Sequence, residues 1–312
     1  MTNSHNQVQP NRTMQPLSEF APFVRRVALP QSGLTLFLYD TQPDTQPGAE
    51  DAATGAPPLL LVHGLGDEAD TWQHVLPALA TRRRVLALDL PGFGRSDKPD
   101  APYTVAWYAA VLGDLLDTLR IDRAVLAGHS LGAITCQWLA LEQPARVDRL
   151  LLLAGGLAAA PRKPDLNTLL LLTPGVGEWL YTRLRNDPQA AYASLRPFYA
   201  DLDALPEADR AFLFQRVNER VWNDDQRRAF FRTLRGLAGW LPGLQKTLAP
   251  RLAACTTPTA VLWGEQDAVA SVENGRALAT LQPAARLTIL PGAGHNLQQE
   301  QPEAVIEAIS NL

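Results

Sequence analysis

Four short apolar runs, each followed by a different kind of pattern, constrain what this chain can fold into more than any other feature. Pro58–Gly64 reads PLLLVHG, Arg83–Gly92 reads RRVLALDLPG, Arg123–Ser130 reads RAVLAGHS and Val147–Gly156 reads VDRLLLLAGG. A run that is apolar throughout, not at every second position, marks a strand covered on both faces. The stretches Thr71–Ala80, Val105–Arg120 and Leu131–Glu142 are expected to be helices. In the second, Trp107, Val111, Leu115, Leu116 and Leu119 recur at helical spacing. Strands alternating with helices imply an α/β fold built on a mostly parallel, doubly wound sheet with right-handed crossovers.

Two further strands are expected before the first run, at Val24–Leu29 and Leu34–Tyr39, joined by the turn PQSG. The polar Pro/Gly/Ala/Asp stretch after them reads as a long exposed loop. Residues 1–20, rich in Asn, Gln and Ser, read as a disordered tail. The alternation stops near Leu157. Residues 157–245 hold helical patterns and aromatic side chains without a strand, as expected of a helical cap inserted into an α/β core of residues 21–156 and 246–312. Alternation resumes with a strand at Thr259–Trp263, a helix at Val272–Leu281, a strand at Ala285–Leu290 and a last helix over Leu297–Ile309.

Composition narrows the function. Lys and Arg total 28 against 32 Asp and Glu, a formal net charge of −4, so a nucleic-acid partner is not expected. The two cysteines, Cys136 and Cys255, are far apart and read as small buried hydrophobes. No CxxC, HExxH or His-rich cluster is present, so no metal centre and no cofactor are expected. The N-terminus has no apolar core of the signal-peptide kind, and the longest apolar runs are too short to span a bilayer. No membrane partner and a cytoplasmic location are the expectation; oligomeric state is open.

The chemistry centres on GHSLG, Gly128–Gly132, which ends an apolar run and opens a helical stretch. That is the context of a nucleophile elbow, in which a serine sits on a sharp strained turn and Cβ atoms two residues to either side would collide with neighbouring strand and helix. The helix N-terminus also directs free amides at the site. A serine hydroxyl needs a base to take its proton and a carboxylate to orient that base. Of the five histidines, His5 lies in the tail, His74 in a surface-type helix and His63 at the end of another strand. His129 precedes the serine and is expected to point away from it. His295, in the loop between the last strand and the last helix, sits at the sheet edge where doubly wound folds place their sites. Asp267 follows the strand Thr259–Trp263; Glu265 is the weaker alternative, and a helix N-cap the competing role for Asp267. The order Ser130, Asp267, His295 is the one that this elbow predicts.

With those residues in place, the chain resembles the α/β-hydrolase superfamily, in its lid-bearing branch of serine hydrolases with esterases, C–C bond hydrolases and cofactor-free haloperoxidases. The resemblance covers residues 22–312 and rests on HGLGD (His63–Asp67), DLPGFGRSDKP (Asp89–Pro99), GHSLG, WGEQD (Trp263–Asp267) and GAGH (Gly292–His295). It implies an oxyanion hole made by the backbone amides of Leu65 and Leu131, with His63 structural and with Asp89 and Arg95 tying turns together. Haloalkane dehalogenases and epoxide hydrolases of the superfamily carry aspartate at the elbow; serine here implies an acyl-enzyme. GHSLG also departs from the elbow of the proline iminopeptidases, which disfavours a peptidase. The function implied is hydrolysis of a carboxylic ester or thioester of a small molecule with an apolar acyl portion, under a lid. C–C bond hydrolysis or perhydrolysis by the same triad is the alternative, and a non-turnover ligand receptor a further one.

Overall fold

The computed structural model describes residues 14–42, 56–158 and 166–312. Strand β1 (Val24–Leu29) and β2 (Leu34–Asp40) form an antiparallel pair, and β2 pairs antiparallel with β4 (Val85–Leu88). From there the sheet is parallel through β3 (Leu59–Val62), β5 (Ala124–His129), β6 (Val147–Leu153), β7 (Thr259–Gly264) and β8 (Ala285–Leu290). The order across the eight strands is β1-β2-β4-β3-β5-β6-β7-β8. Every residue of β3, β4 and β5 is buried, and successive residues feed two separate cores. Leu60 and Val62 pack on one face with Leu86 and Leu126, while Leu59 and Leu61 pack on the other with Val85 and Val125. Burial on both faces is what the continuous apolar runs encode.

The helices depart from the sequence reading where proline intervenes. In place of one helix over Thr71–Ala80 there is a 3-10 turn at Ala69–Trp72 and then a short α1 (Leu76–Ala80). Pro77 has no N–H to continue a helix begun upstream, and it sits instead in the first turn, where none is needed. Helix α2 (Val105–Thr118) is capped by the Thr104 side chain, and α3 (Leu131–Glu142) starts directly from Ser130. Between β6 and β7 lie α4 (Leu166–Leu172), α5 (Val176–Arg183), α6 (Pro188–Ala193), α7 (Glu207–Val221) and the 30-residue α8 (Asp224–Ala253). Helix α8 runs unbroken through position 245, where the sequence placed the end of the cap, and its last turns bury Leu248 and Leu252 in the main core. After β7 come α9 (Val272–Leu281), then α10 (Leu297–Glu300) and α11 (Pro302–Ser310). These last two replace the single helix expected over Leu297–Ile309. Gln301, the residue before Pro302, is driven out of the helical region to φ −138° and ψ 61°.

The exposed loop read after β2 falls mostly outside the described residues, as do positions 1–13 of the tail. From Met14 onward the tail is packed. Met14 and Phe20 are buried, the Leu17 amide donates to the Tyr39 hydroxyl at 2.9 Å, and Arg216 donates to the Gln15 carbonyl at 2.7 Å. Phe20 meets Tyr39 edge-on at 5.2 Å, an aromatic anchor that the polar composition of residues 1–20 hides. Among the described residues no helix is long and apolar enough to cross a membrane.

Candidate active site

Strand β5 delivers the chain into the elbow. Ser130 adopts φ 51° and ψ −112°, a conformation that costs a side-chain-bearing residue about 1–3 kcal/mol. The surroundings over-determine it. The Ser130 amide donates to the Leu153 carbonyl at 2.8 Å, and the Ser130 carbonyl accepts from Ile134 in α3 at 3.1 Å. A Cβ on Gly128 would stand 2.4 Å from the Gly132 backbone, and one on Gly132 would stand 2.1 Å from the Val62 carbonyl oxygen. Both glycines therefore have the steric cause that the pentapeptide suggests. A third does the same from outside the motif: a Cβ on Gly155 would lie 2.4 Å from the Ser130 carbonyl oxygen. Ser130 is itself half-buried, while His129 before it and Leu131 after it are buried.

Asp267 and His295 meet across the next strand ends. His295 Nδ1 lies 2.8 Å from Asp267 Oδ2, with the two side chains 2% and 0% exposed. The other Asp267 oxygen, Oδ1, accepts from the amides of Val269 and Ala270 at 2.9 and 2.8 Å. Asp267 thus closes the turn after β7 and orients the imidazole at once. The competing N-cap role belongs to Ser271, and Glu265 is exposed. With the carboxylate on Nδ1, that nitrogen carries the proton, and Nε2 holds the lone pair a base needs.

A segment between β6 and β7 grips the His295 loop. The amides of His295 and Asn296 both donate to the Phe198 carbonyl, at 3.0 and 3.1 Å. Gly294 packs against the same segment. A Cβ there would stand 2.5 Å from the Ala200 amide, so glycine lets the two backbones approach. From the opposite side His129 Nε2 donates to the His295 carbonyl at 3.0 Å, and the two rings lie 4.8 Å apart. His129 is therefore turned toward the base's loop and anchors its backbone. Burial, with His295 alongside, pushes the His129 pKa well below its ordinary value, so it is a neutral donor.

The loop after β3 completes the surround. A Cβ on Gly64 would fall 3.2 Å from Ser130 Cβ, which places this loop directly beside the elbow. Leu65 is partly buried against the core, and Gly66, at φ 78°, faces the Phe230 ring of α8. His63 is structural: Nδ1 donates to the Gly64 carbonyl at 2.7 Å and Nε2 accepts from the Leu90 amide at 2.8 Å. Burial lowers its pKa below the ordinary value near 6.5, against the pull of Asp67 and Asp89. The unfolded chain therefore takes up this proton first as pH falls below about 6.5. Stability drops from there down to the depressed folded value, by at most about 1.4 kcal/mol per pH unit for this group. His63→Gln can keep an acceptor for Leu90 without a titrating ring. Its Tm is expected to fall less steeply than that of the wild type between pH 6.5 and 5; parallel slopes in a melting series would contradict this.

Sequence reasoning missed a buried ion cluster under the cap. From α7, Arg220 reaches both oxygens of Glu68 at 2.8 and 2.7 Å and Asp67 at 2.5 Å, while Arg216 binds Asp70 at 2.6 Å and Glu219 at 2.8 Å. Burial and the neighbouring Asp67 push the Glu68 pKa up to about 7, against the pull of Arg220. Asp89 and Arg95 tie turns together as expected, with Nε and Nη2 of Arg95 donating to the two Asp89 oxygens at 2.8 and 2.9 Å. Arg95 also contacts Asp70 at 3.0 Å, joining that loop to the cluster.

Comparison with known proteins agrees with this architecture. The family model described as alpha/beta hydrolase fold matches residues 57–302. An uncharacterised protein of Mycobacterium tuberculosis is 32% identical over 282 residues, covering 83% of this chain and 76% of its own length. A 2-hydroxy-6-oxononadienedioate/2-hydroxy-6-oxononatrienedioate hydrolase of Cupriavidus pinatubonensis is 27% identical over 286 residues, covering 89% and 94%. Among solved structures, a meta-cleavage product hydrolase of Pseudomonas fluorescens superposes with a TM-score of 0.71 at 20% identity, covering 92% of this chain and 96% of its own. Elbow, strand order and family match converge: the chain belongs to the α/β-hydrolase fold family.

Proposed function

We propose that this protein is a serine hydrolase that cleaves a carboxylic ester or thioester of a small molecule through an acyl-enzyme. The observation that carries the reading is the Asp267–His295 pair at 2.8 Å, held by Phe198 and by His129, the residue that precedes an elbow serine in a strained, half-buried turn. In this mechanism His295 Nε2 takes the Ser130 proton as Oγ attacks the carbonyl carbon. Asp267 stabilises the imidazolium, and the proton then passes to the leaving alcohol or thiol. The amides of Leu65 and Leu131 hold the oxyanion, each contributing roughly 10²–10³ in rate. His295 next activates water, which releases the acid and restores Ser130. The cap helices act as a lid, and Phe198 and Phe230 offer apolar contact to the acyl chain.

C–C bond hydrolysis by the same groups is the second reading, favoured by the Cupriavidus relative, which matches over nearly its whole length. The two readings part in one assay. With purified protein, kcat/KM for p-nitrophenyl acyl esters is expected to exceed that for a 2-hydroxy-6-oxo-dienoate ring-cleavage product. The reverse order replaces the ester reading with the C–C one.

A further inference from the structure

The cations that the cap lowers beside the elbow are already occupied. Arg220 and Arg216 lie one helical turn apart on α7 and face four carboxylates: Asp67, Glu68, Asp70 and Glu219. The side chains of Glu68 and Asp70 are 0% exposed and that of Arg216 only 4%. This cluster is tied to the loop beside the elbow. Asp67 closes the turn that begins at Gly64, its amide donating to the Gly64 carbonyl at 3.3 Å, and Gly64 abuts Ser130. Tyr199 packs on Gly294 next to the base. Lys98, on the loop of Arg95, donates to the carbonyls of Gly94 and Ser96 at 2.7 and 3.0 Å.

An acyl chain bearing its own carboxylate would need a cation near the elbow. Here it would find the Arg216 and Arg220 guanidinia already paired with Asp70, Glu68 and Asp67, and would have to displace Asp67 or Glu68 from Arg220 in a poorly solvated place. We propose that the acyl group this site accepts is uncharged, and that Asp67 and Glu68 set this preference by occupying the Arg220 guanidinium that an acyl carboxylate would otherwise bind. The inference rests on the ester-hydrolase reading and adds the substrate class to it. It also separates this chain from its Cupriavidus relative, whose named substrates are dioates.

The test compares two esters with the same six-carbon chain, p-nitrophenyl hexanoate and the p-nitrophenyl monoester of adipic acid. Wild-type kcat/KM is expected to favour hexanoate by at least about 100-fold, the size of effect that like-charge juxtaposition gives. In Asp67→Asn/Glu68→Gln, Arg220 is freed, and the ratio is expected to fall at least ~10-fold through a lower KM for the adipate ester. If the double variant does not fold, Asp67→Asn alone moves the ratio the same way, by about 3-fold, because Glu68 still engages the guanidinium. A wild-type ratio within about 3-fold of unity, or a folded double variant with an unchanged ratio, overturns the proposal. Binding of the two esters to Ser130→Ala reads the same preference as a Kd ratio without turnover. Wild-type protein that cleaves neither ester while the Kd ratio holds defeats the hydrolase reading and leaves the charge preference standing. Equal cleavage of both does the opposite.

Discussion

Ser130→Ala is expected to lower kcat for ester hydrolysis by about 10⁶, leaving the protein folded and its Tm close to wild type. The size follows from the role: without Oγ no acyl-enzyme forms, and only binding and oxyanion stabilisation remain. The fold survives because alanine keeps a Cβ at the same φ of 51°, with the same bonds from its amide to Leu153 and from Ile134 to its carbonyl. Ser130→Gly makes the complementary point. It is equally inactive, but glycine adopts this backbone without strain, so its Tm is expected to rise above that of the alanine variant. Steady-state kinetics and thermal melts on the two variants check both halves. Residual turnover within about 100-fold of wild type in either variant would remove Ser130 from the mechanism.

The second large effect is expected at Asp267→Asn, a loss of about 10⁴ in kcat with Tm little changed. Two amides, from Val269 and Ala270, point at Asp267 Oδ1. As donors they require an oxygen opposite them, so an asparagine places its carbonyl there. Its NH₂ then faces His295 Nδ1, where the Oδ2 bond of 2.8 Å was. A donor in that position forces the imidazole lone pair onto Nδ1 and the proton onto Nε2, the wrong tautomer for a base. The same two amide bonds preserve the turn, which is why the loss falls on kcat and not on folding. An Asp267→Asn protein with near wild-type kcat would mean that His295 takes its orientation elsewhere.

The sheet and the Asp267–His295 pair were legible in the sequence for a local reason. Central strands covered on both faces are apolar at every position, and Asp267 follows such a run at the end of β7, while His295 follows the edge strand β8, whose positions alternate between buried and exposed. Helix boundaries were less legible where a proline intervenes, through its missing N–H at Pro77 and through the residue before it at Pro302. The ion cluster was not legible at all. Arg216 and Arg220 sit in RVNER, which reads as the solvated face of a helix, and Arg220's carboxylate partners lie about 150 residues away. Nothing in the local pattern announces that α7 turns this face inward. The partner of His129 was not legible either: its ring reaches the His295 carbonyl, which only the tertiary fold brings beside the end of β5. Gly155 likewise acts on Ser130 from the end of β6, outside any motif.

The central claim is that Ser130 is an activated nucleophile. A fluorophosphonate probe reacts only with such a serine, and peptide mapping by mass spectrometry locates the adduct. The account predicts a single label on the peptide containing Ser130, absent from Ser130→Ala and strongly slowed in Asp267→Asn. Wild-type protein that stays unlabelled, or a label that persists in Ser130→Ala, would contradict it.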